Sequence, residues 1–344
     1  MNHRLLLGMI ALLLVGLGCQ ALQTTTPNPA ETPPARASIT PQLKETAVEI
    51  IRKGLQDQNG YIRNACIEVV VTTHQEEMMT RVTGLLRDSL VPVRFSAALA
   101  VGDMPYRPGR AAVETLLADP NPNIQLAAAY SLVKLGNPQH QEIVLRGAQS
   151  PDPTVRSNAA MLIGKLGNPA NRGVLHQLLQ DLESSDKARL AAVESLAMLK
   201  DPTAYKNRLW PLLISKHPDD RIIGIRGMAE LGTGECRDAI LTMLGDDMVE
   251  VRLCAAEQLA RIGEKSGQDE VLRYLSRAPA AGTEVDIADT FATLAIGRIG
   301  SAELASYLPK RLQSPYPLQQ IYAAQAVLML SAGKPATVSG TGAR

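Results

Sequence analysis

Cysteine is the residue in this chain with the most chemistry to offer, and four are present, at positions 19, 66, 236 and 254. They form no Cys-x-x-Cys pair and are too few for a disulfide-stapled scaffold. Cys66 stands where sister segments carry alanine, which predicts a small buried hydrophobe. Cys236 opens one predicted helix and Cys254 lies early in the next, so antiparallel packing would set the two sulfurs several ångströms apart and no disulfide is expected. Neither a Gly-x-x-x-x-Gly-Lys phosphate loop nor a Gly-x-Ser-x-Gly elbow occurs. Gly232-Thr-Gly234 lacks the third glycine of a dinucleotide signature and reads as a turn ending a helix. His217 and Trp210 sit beside prolines and read as turn packing.

Cys19 differs by position. Before it, Arg4 and the α-amino group lead into the apolar run Leu5 to Leu17, the layout of a secretory signal. Those 13 residues fall short of the roughly 20 that a bilayer-spanning helix needs. The ending Val15-Gly16-Leu17-Gly18-Cys19 resembles a bacterial lipobox, in which a small residue precedes the cysteine that is lipidated and becomes the mature N-terminus. Leucine usually stands three places before that cysteine, where this chain has Gly16. The resemblance implies an exported lipoprotein, anchored in the membrane of the cell envelope and facing periplasm or exterior; cleavage as an ordinary signal peptide and a retained anchor are the alternatives.

Residues 1–19 are thus assigned to the signal with its lipobox cysteine. Residues 20–40, rich in Thr, Pro and Ala, contain too little apolar surface to offset ordering entropy and are expected to be a disordered, extended tether. The tail 332–344 is equally poor in core residues. In the 344-residue chain 35 Lys and Arg balance 34 Asp and Glu, which leaves no field to draw it onto nucleic acid. Apolar residues make up 45% and aromatics only 3%, so any core is built from small aliphatic side chains.

Between residues 41 and 331 one pattern recurs, clearest at Ser150-Pro-Asp-Pro-Thr-Val-Arg-Ser-Asn-Ala-Ala-Met-Leu-Ile-Gly-Lys-Leu-Gly167. With Arg156 as a ruler, its equivalents are Arg63, Arg94, Gln125, Arg189, Arg221, Arg252, Asp289 and Gln320. The steps are 31, 31, 31, 33, 32, 31, 37 and 31 residues, the mark of a repeat array. Each unit spells two helices. The first carries apolar residues at helical spacing, as in Leu43, Ala47, Ile50, Ile51 and Leu55; the second does so with Val155, Ala159, Ile163 and Leu166.

Six places before each ruler residue stand turn or cap formers: Asp57, Asp88, Asp119, Ser150, Glu183, Ser215, Asp246, Thr283 and Ser314. Asn121 and Asp152 each precede a proline, which predicts an N-cap with Pro in the first helical turn. Gly136, Gly167, Gly232, Gly263 and Gly300 fall where a left-handed residue must end the second helix.

The Asp-to-Arg spacing, the paired alanines (Ala97-Ala98, Ala128-Ala129, Ala159-Ala160, Ala191-Ala192, Ala255-Ala256, Ala323-Ala324) and the closing Leu-Gly resemble HEAT repeats, above all the short variety of phycobilisome lyases. The resemblance implies an all-α fold, a right-handed α-solenoid of about nine two-helix repeats, first helices outside and second helices lining a concave side that holds protein partners. Nine such repeats would span on the order of 80 Å at ordinary helix spacing. It also implies an aspartate–arginine ladder, and Gln125, Asp289 and Gln320 confine a continuous ladder to repeats 4 to 7. Of the family's enzymes, deoxyhypusine hydroxylase holds iron with His-Glu pairs, whereas His74, His140 and His176 here precede glutamine, a poor ligand. Bilin lyases offer no transferable motif.

The expected function is a non-catalytic protein–protein interaction scaffold, with another protein as partner, no nucleic acid, the membrane reached through the lipid anchor, and no cofactor, metal or small-molecule substrate. A lyase-like or pigment-handling protein is the alternative. Positions two, five and nine places after the ruler should line the concave face, which gives the candidate partner-binding residues Glu68, Tyr130, Lys134, Lys165, Glu194, Arg226, Glu230, Glu257, Arg261, Phe291, Arg298 and Tyr322.

Overall fold

The computed structural model describes residues 37–277 and 286–332. The signal, Cys19, most of the tether and the tail lie outside these residues, as does Thr283. Every described element is helical, and the helices alternate between an outer and an inner layer. The nine inner helices are the second helices of the repeats: Gly60–Thr72, Val91–Asp103, Pro122–Lys134, Pro153–Leu166, Asp186–Met198, Pro218–Leu231, Val249–Arg261, Ile287–Ile299 and Pro317–Ser331. Most outer helices are shorter and end in a tight turn, as in Met79–Gly84 followed by Leu85–Arg87. No described helix is long and apolar enough to cross a membrane.

Local chemistry sets the boundaries. The Asn121 carboxamide accepts the Asn123 N–H at 2.9 Å, and the Asp152 carboxylate accepts those of Thr154 and Val155 at 2.7 and 3.1 Å. Each forecast glycine ends its helix at positive φ, between +71° and +96°. His74 and Lys200 occupy the same place in repeats 1 and 5 at φ 53° and 55°, where no glycine marks it. The ruler side chain clamps its own inter-helix turn: Arg63 donates to the Asp57 carbonyl at 2.6 Å, Arg221 to that of Ser215 at 3.0 Å, and Gln125 to that of Asp119 at 2.8 Å.

Between repeats the ladder departs from expectation. Arg63 reaches Asp88 at 2.8 Å and Arg94 reaches Asp119 at 3.3 Å, so rungs exist in repeats 1 to 3. Within repeats 4 to 7 the ladder is interrupted. Arg156 meets Asp181 and Arg221 meets Asp246, but Arg189 faces a serine turn and folds back on the carbonyls of Asp181 and Leu182. In repeat 8 the rung is inverted. Asp289, in the ruler position, takes a forked ion pair from Arg311 of the next outer helix, at 2.7 and 2.9 Å.

The larger departure is that the array closes. The first helix, Pro41–Gly54, packs between the last inner helix, Pro317–Ser331, and the first, Gly60–Thr72. Gln325 donates to the Thr72 hydroxyl at 3.0 Å across this seam. Ala37 N–H donates to the Gly300 carbonyl at 3.1 Å. One apolar core therefore runs from Ile321 and Val327 through Ala47 and Ile51 into Ile67. Nine inner helices form a continuous wall, each against the next, with the outer helices around them. The concave side expected from the repeats is thus the inner face of a closed ring of helices.

Glycine on the inner wall makes such tight curvature possible. A Cβ on Gly102 or Gly164 would stand 2.8 Å from the Cα of Ser131 or Ser195 in the next inner helix, and one on Gly297 would stand 2.8 Å from that of Ala326. The Ser195 hydroxyl donates to the Ala160 carbonyl at 2.8 Å. Inner helices thus approach more closely than full-sized side chains would permit, which turns the row of repeats inward.

Candidate functional site: the enclosed inner wall and the turn edge

The concave residues meet one another before they meet a partner. Successive inner helices exchange acid–base pairs: Glu194 with Arg226 at 3.5 Å, Glu230 with Arg261 at 2.6 Å, and Glu257 with Arg298. Asp103, at the end of the second inner helix, accepts from the Tyr130 hydroxyl and from Lys165 Nζ at 2.8 Å. The Lys165 ammonium lies 5.9 Å from the centre of the Tyr130 ring, in reach of a cation–π attraction.

Glu68 belongs to repeat 1, yet Arg226 of repeat 6 and Lys165 of repeat 4 act on it. Burial pushes its pKa above the usual carboxylate range, and those two cations from the facing wall oppose the rise. Its side chain is open to solvent although the surrounding wall keeps it poorly hydrated. Glu194 is likewise raised, by burial first, with Arg226 opposing and Glu230 adding to the rise. Tyr322 is raised by burial and then by Glu68.

Tyr130 and Glu257 are 1% and 2% exposed, so they are corrected from docking anchors to parts of the wall. Lys165, Glu194, Glu230, Arg261, Phe291, Arg298 and Tyr322 are half-buried. Glu68, Lys134 and Arg226 keep exposed side chains. All the described acids of this set except Glu68 have a cation as direct partner. Each is therefore held by a neighbour of opposite sign rather than presented to a ligand.

The thiols are equally quiet. Cys66, Cys236 and Cys254 are buried and free. Burial pushes the Cys66 thiol up to about 12, with Asp57 adding to the rise, and raises Cys236 and Cys254 as well. A thiol held above its ordinary range is a poor nucleophile at neutral pH. His176 bonds Asp201 at 2.9 Å. Among the described residues no group of three or more His, Cys, Asp or Glu side chains is placed to hold a metal ion. Trp210 lies 6.2 Å from the Tyr205 ring, but within an outer helical segment, not at the turn that its neighbouring proline suggested.

Exposed apolar side chains lie elsewhere, and sequence reasoning passed over them. Among the described residues, seven of the eight large exposed hydrophobics lie in the turns that join first to second helices or at the very start of the second helix: Tyr61, Leu90, Leu182, Ile214, Met248, Ile287 and Tyr316. They come from repeats 5 to 9, 1 and 2, consecutive around the closed wall. Repeats 3 and 4 show none. A signal existed, because Leu90, Met248 and Tyr316 stand four places before the ruler, where Asn59, Asn121, Asp152 and Ser185 cap their helices. None of the three makes a side-chain cap bond.

The fold and this geometry define a HEAT-repeat α-solenoid, closed on itself. Residues 142–221 match the family described as HEAT repeats, and the same two-helix unit recurs around the wall. Nothing among curated proteins matches the chain. Similar solved structures include the CpcE–CpcF complex of phycocyanin lyase from a Nostoc strain, at 17% identity over 73% of this chain and 94% of that one, TM-score 0.42. Human deoxyhypusine hydroxylase is similar at 15% identity over 76% of this chain and 99% of that one, TM-score 0.37. An importin β is similar at 15% identity over 86% of this chain and 48% of that one, TM-score 0.37.

Proposed function

We propose that this chain is a non-catalytic protein-interaction scaffold, held at the cell envelope by lipid on Cys19, that docks a protein partner on its turn edge. The observation that carries the reading is a local loss of stability. Leu90, Met248 and Tyr316 take N-cap positions without capping, at a cost of about 1 kcal/mol each relative to a capping residue, and leave apolar side chains in water. Such an arc, set among polar turns, has the composition of an interface core. On the inner face Glu68, Lys134 and Arg226 keep exposed side chains.

Inner helices begin at the turn edge and end at the glycine edge, and Ala37 is held at Gly300 on the latter. Replacing Met248 and Tyr316 together with asparagine should raise the melting temperature by restoring caps, while envelope protein captured on the purified chain falls about fivefold or more, roughly 1 kcal/mol of binding. Unchanged capture by this folded variant would remove the turn edge from consideration. Cys19→Ser should move the protein from the membrane fraction to the soluble one and abolish incorporation of labelled fatty acid.

A further inference from the structure

At the seam the ladder lacks its cation. Arg63, Arg94 and Arg221 each hold the aspartate that opens the next inter-helix turn, and Asp88, Asp119 and Asp246 are buried beneath them, at 6%, 9% and 7% side-chain exposure. Asp57 is the equivalent aspartate of repeat 1. Closure sets it beside repeat 9, whose ruler residue is Gln320. That amide reaches only its own Ser314 carbonyl, at 2.6 Å. Asp57 is exposed, and among the described residues its carboxylate has one hydrogen bond, from Asn59 N–H at 2.7 Å.

Where the guanidinium would lie, there is instead an open groove of about 760 Å³ between the first helix and the last inner helix. Ile50, Ile62 and Ile321 line it, as do Glu45, Glu49 and Asp57. Glu49 is paired with Arg52 and lies 3.7 Å from Lys53, and Arg52 also lies 3.9 Å from Glu45, so Asp57 is the carboxylate of the groove that has no cation beside it among the described residues. The groove thus presents one carboxylate without a cation beside partly apolar walls, and is of a size that holds a small organic ligand or a short peptide.

The geometry points to this seam groove as the docking site for an arginine-bearing segment of a protein partner. Its guanidinium takes the place on Asp57 that Arg63 takes on Asp88, where Nε and Nη2 each donate at 2.8 Å. An aliphatic residue beside the arginine lies on Ile50, the half-buried isoleucine of the groove. The forked, planar donor set selects arginine over lysine, whose ammonium is a point charge. This deepens the scaffold reading and rests on it, since it names the partner's chemistry at one place.

The test titrates the full chain, purified in detergent, with a fluorescein-labelled peptide Ala-Leu-Arg-Leu-Ala and its lysine and citrulline counterparts, read by fluorescence polarisation. The arginine peptide should bind about tenfold more tightly than the citrulline one. Asp57→Asn should lower its affinity about tenfold. Gln320→Arg, which fills the site from within, should lower it as much while raising the melting temperature, so lost binding is not lost folding. Equal binding of arginine and citrulline peptides, no binding of either, or unaltered binding to Gln320→Arg overturns the assignment. If the peptide fails while envelope protein is still captured, the groove falls and the scaffold reading stands.

Discussion

Arg311→Ala should destabilise the closed array by about 3 kcal/mol, read as a lower urea midpoint at unchanged slope. The Arg311 guanidinium donates to both Asp289 oxygens and to the Thr293 hydroxyl at 2.7 Å, and both members of the pair are nearly buried, at 14% and 13% side-chain exposure. Removing the cation leaves a carboxylate whose remaining side-chain donor is Gln319 Nε2 at 2.9 Å. An unpaired charge in that setting costs more than the pair contributes. Asp289→Asn on the Arg311→Ala background should therefore recover about 1–2 kcal/mol, and the double-mutant cycle should return a coupling of similar size. A loss under about 1 kcal/mol for Arg311→Ala would mean that solvent screens this pair like a surface bridge.

Two glycine-to-alanine substitutions in helices should move stability in opposite directions. Alanine is the better helix former by about 1 kcal/mol. At Gly173 a Cβ meets nothing within 4 Å, so Gly173→Ala should raise stability by roughly 0.5–1 kcal/mol. At Gly164 the new Cβ would sit 2.6 Å from Ser195 Oγ and 2.8 Å from its Cα, and the second of these is backbone that cannot rotate away. Forcing two inner helices apart should cost about 3 kcal/mol, which exceeds the propensity gain and leaves a net loss near 2. The pair of variants, compared by thermal unfolding, separates local propensity from wall packing. Stabilisation by Gly164→Ala would show that the inner helices are not in close contact.

Features that one repeat specifies within itself were legible. The capping of Asn121 and Asp152 and the left-handed glycines at 136, 167, 232, 263 and 300 depend on neighbours a few residues away in the chain. His74 and Lys200 adopt the same left-handed geometry, but a side chain that tolerates a conformation leaves no mark as clear as glycine's. Asp289 looked like a gap in the ladder because its cation, Arg311, lies on the next outer helix and outside the ruler register. The concave candidates were found by phase, and they lie on inner helices. Phase could not tell that Tyr130 and Glu257 would be covered by side chains from the adjoining helices.

The repeat period, its turns, its caps and its apolar faces determined by themselves that this chain would be a row of two-helix units. These are short-range choices, each settled by hydrogen bonds and burial within one repeat or the next. Closure was decided only by the tertiary structure. A small rotation per repeat, summed over nine repeats, separates an open spiral from a ring, and that rotation depends on how closely Gly102, Gly164 and Gly297 let inner helices approach. The contact that completes the ring, Gln325 on Thr72, joins residues 253 positions apart. That contact leaves Asp57 beside a glutamine and a groove where every sequence-adjacent repeat would have another neighbour.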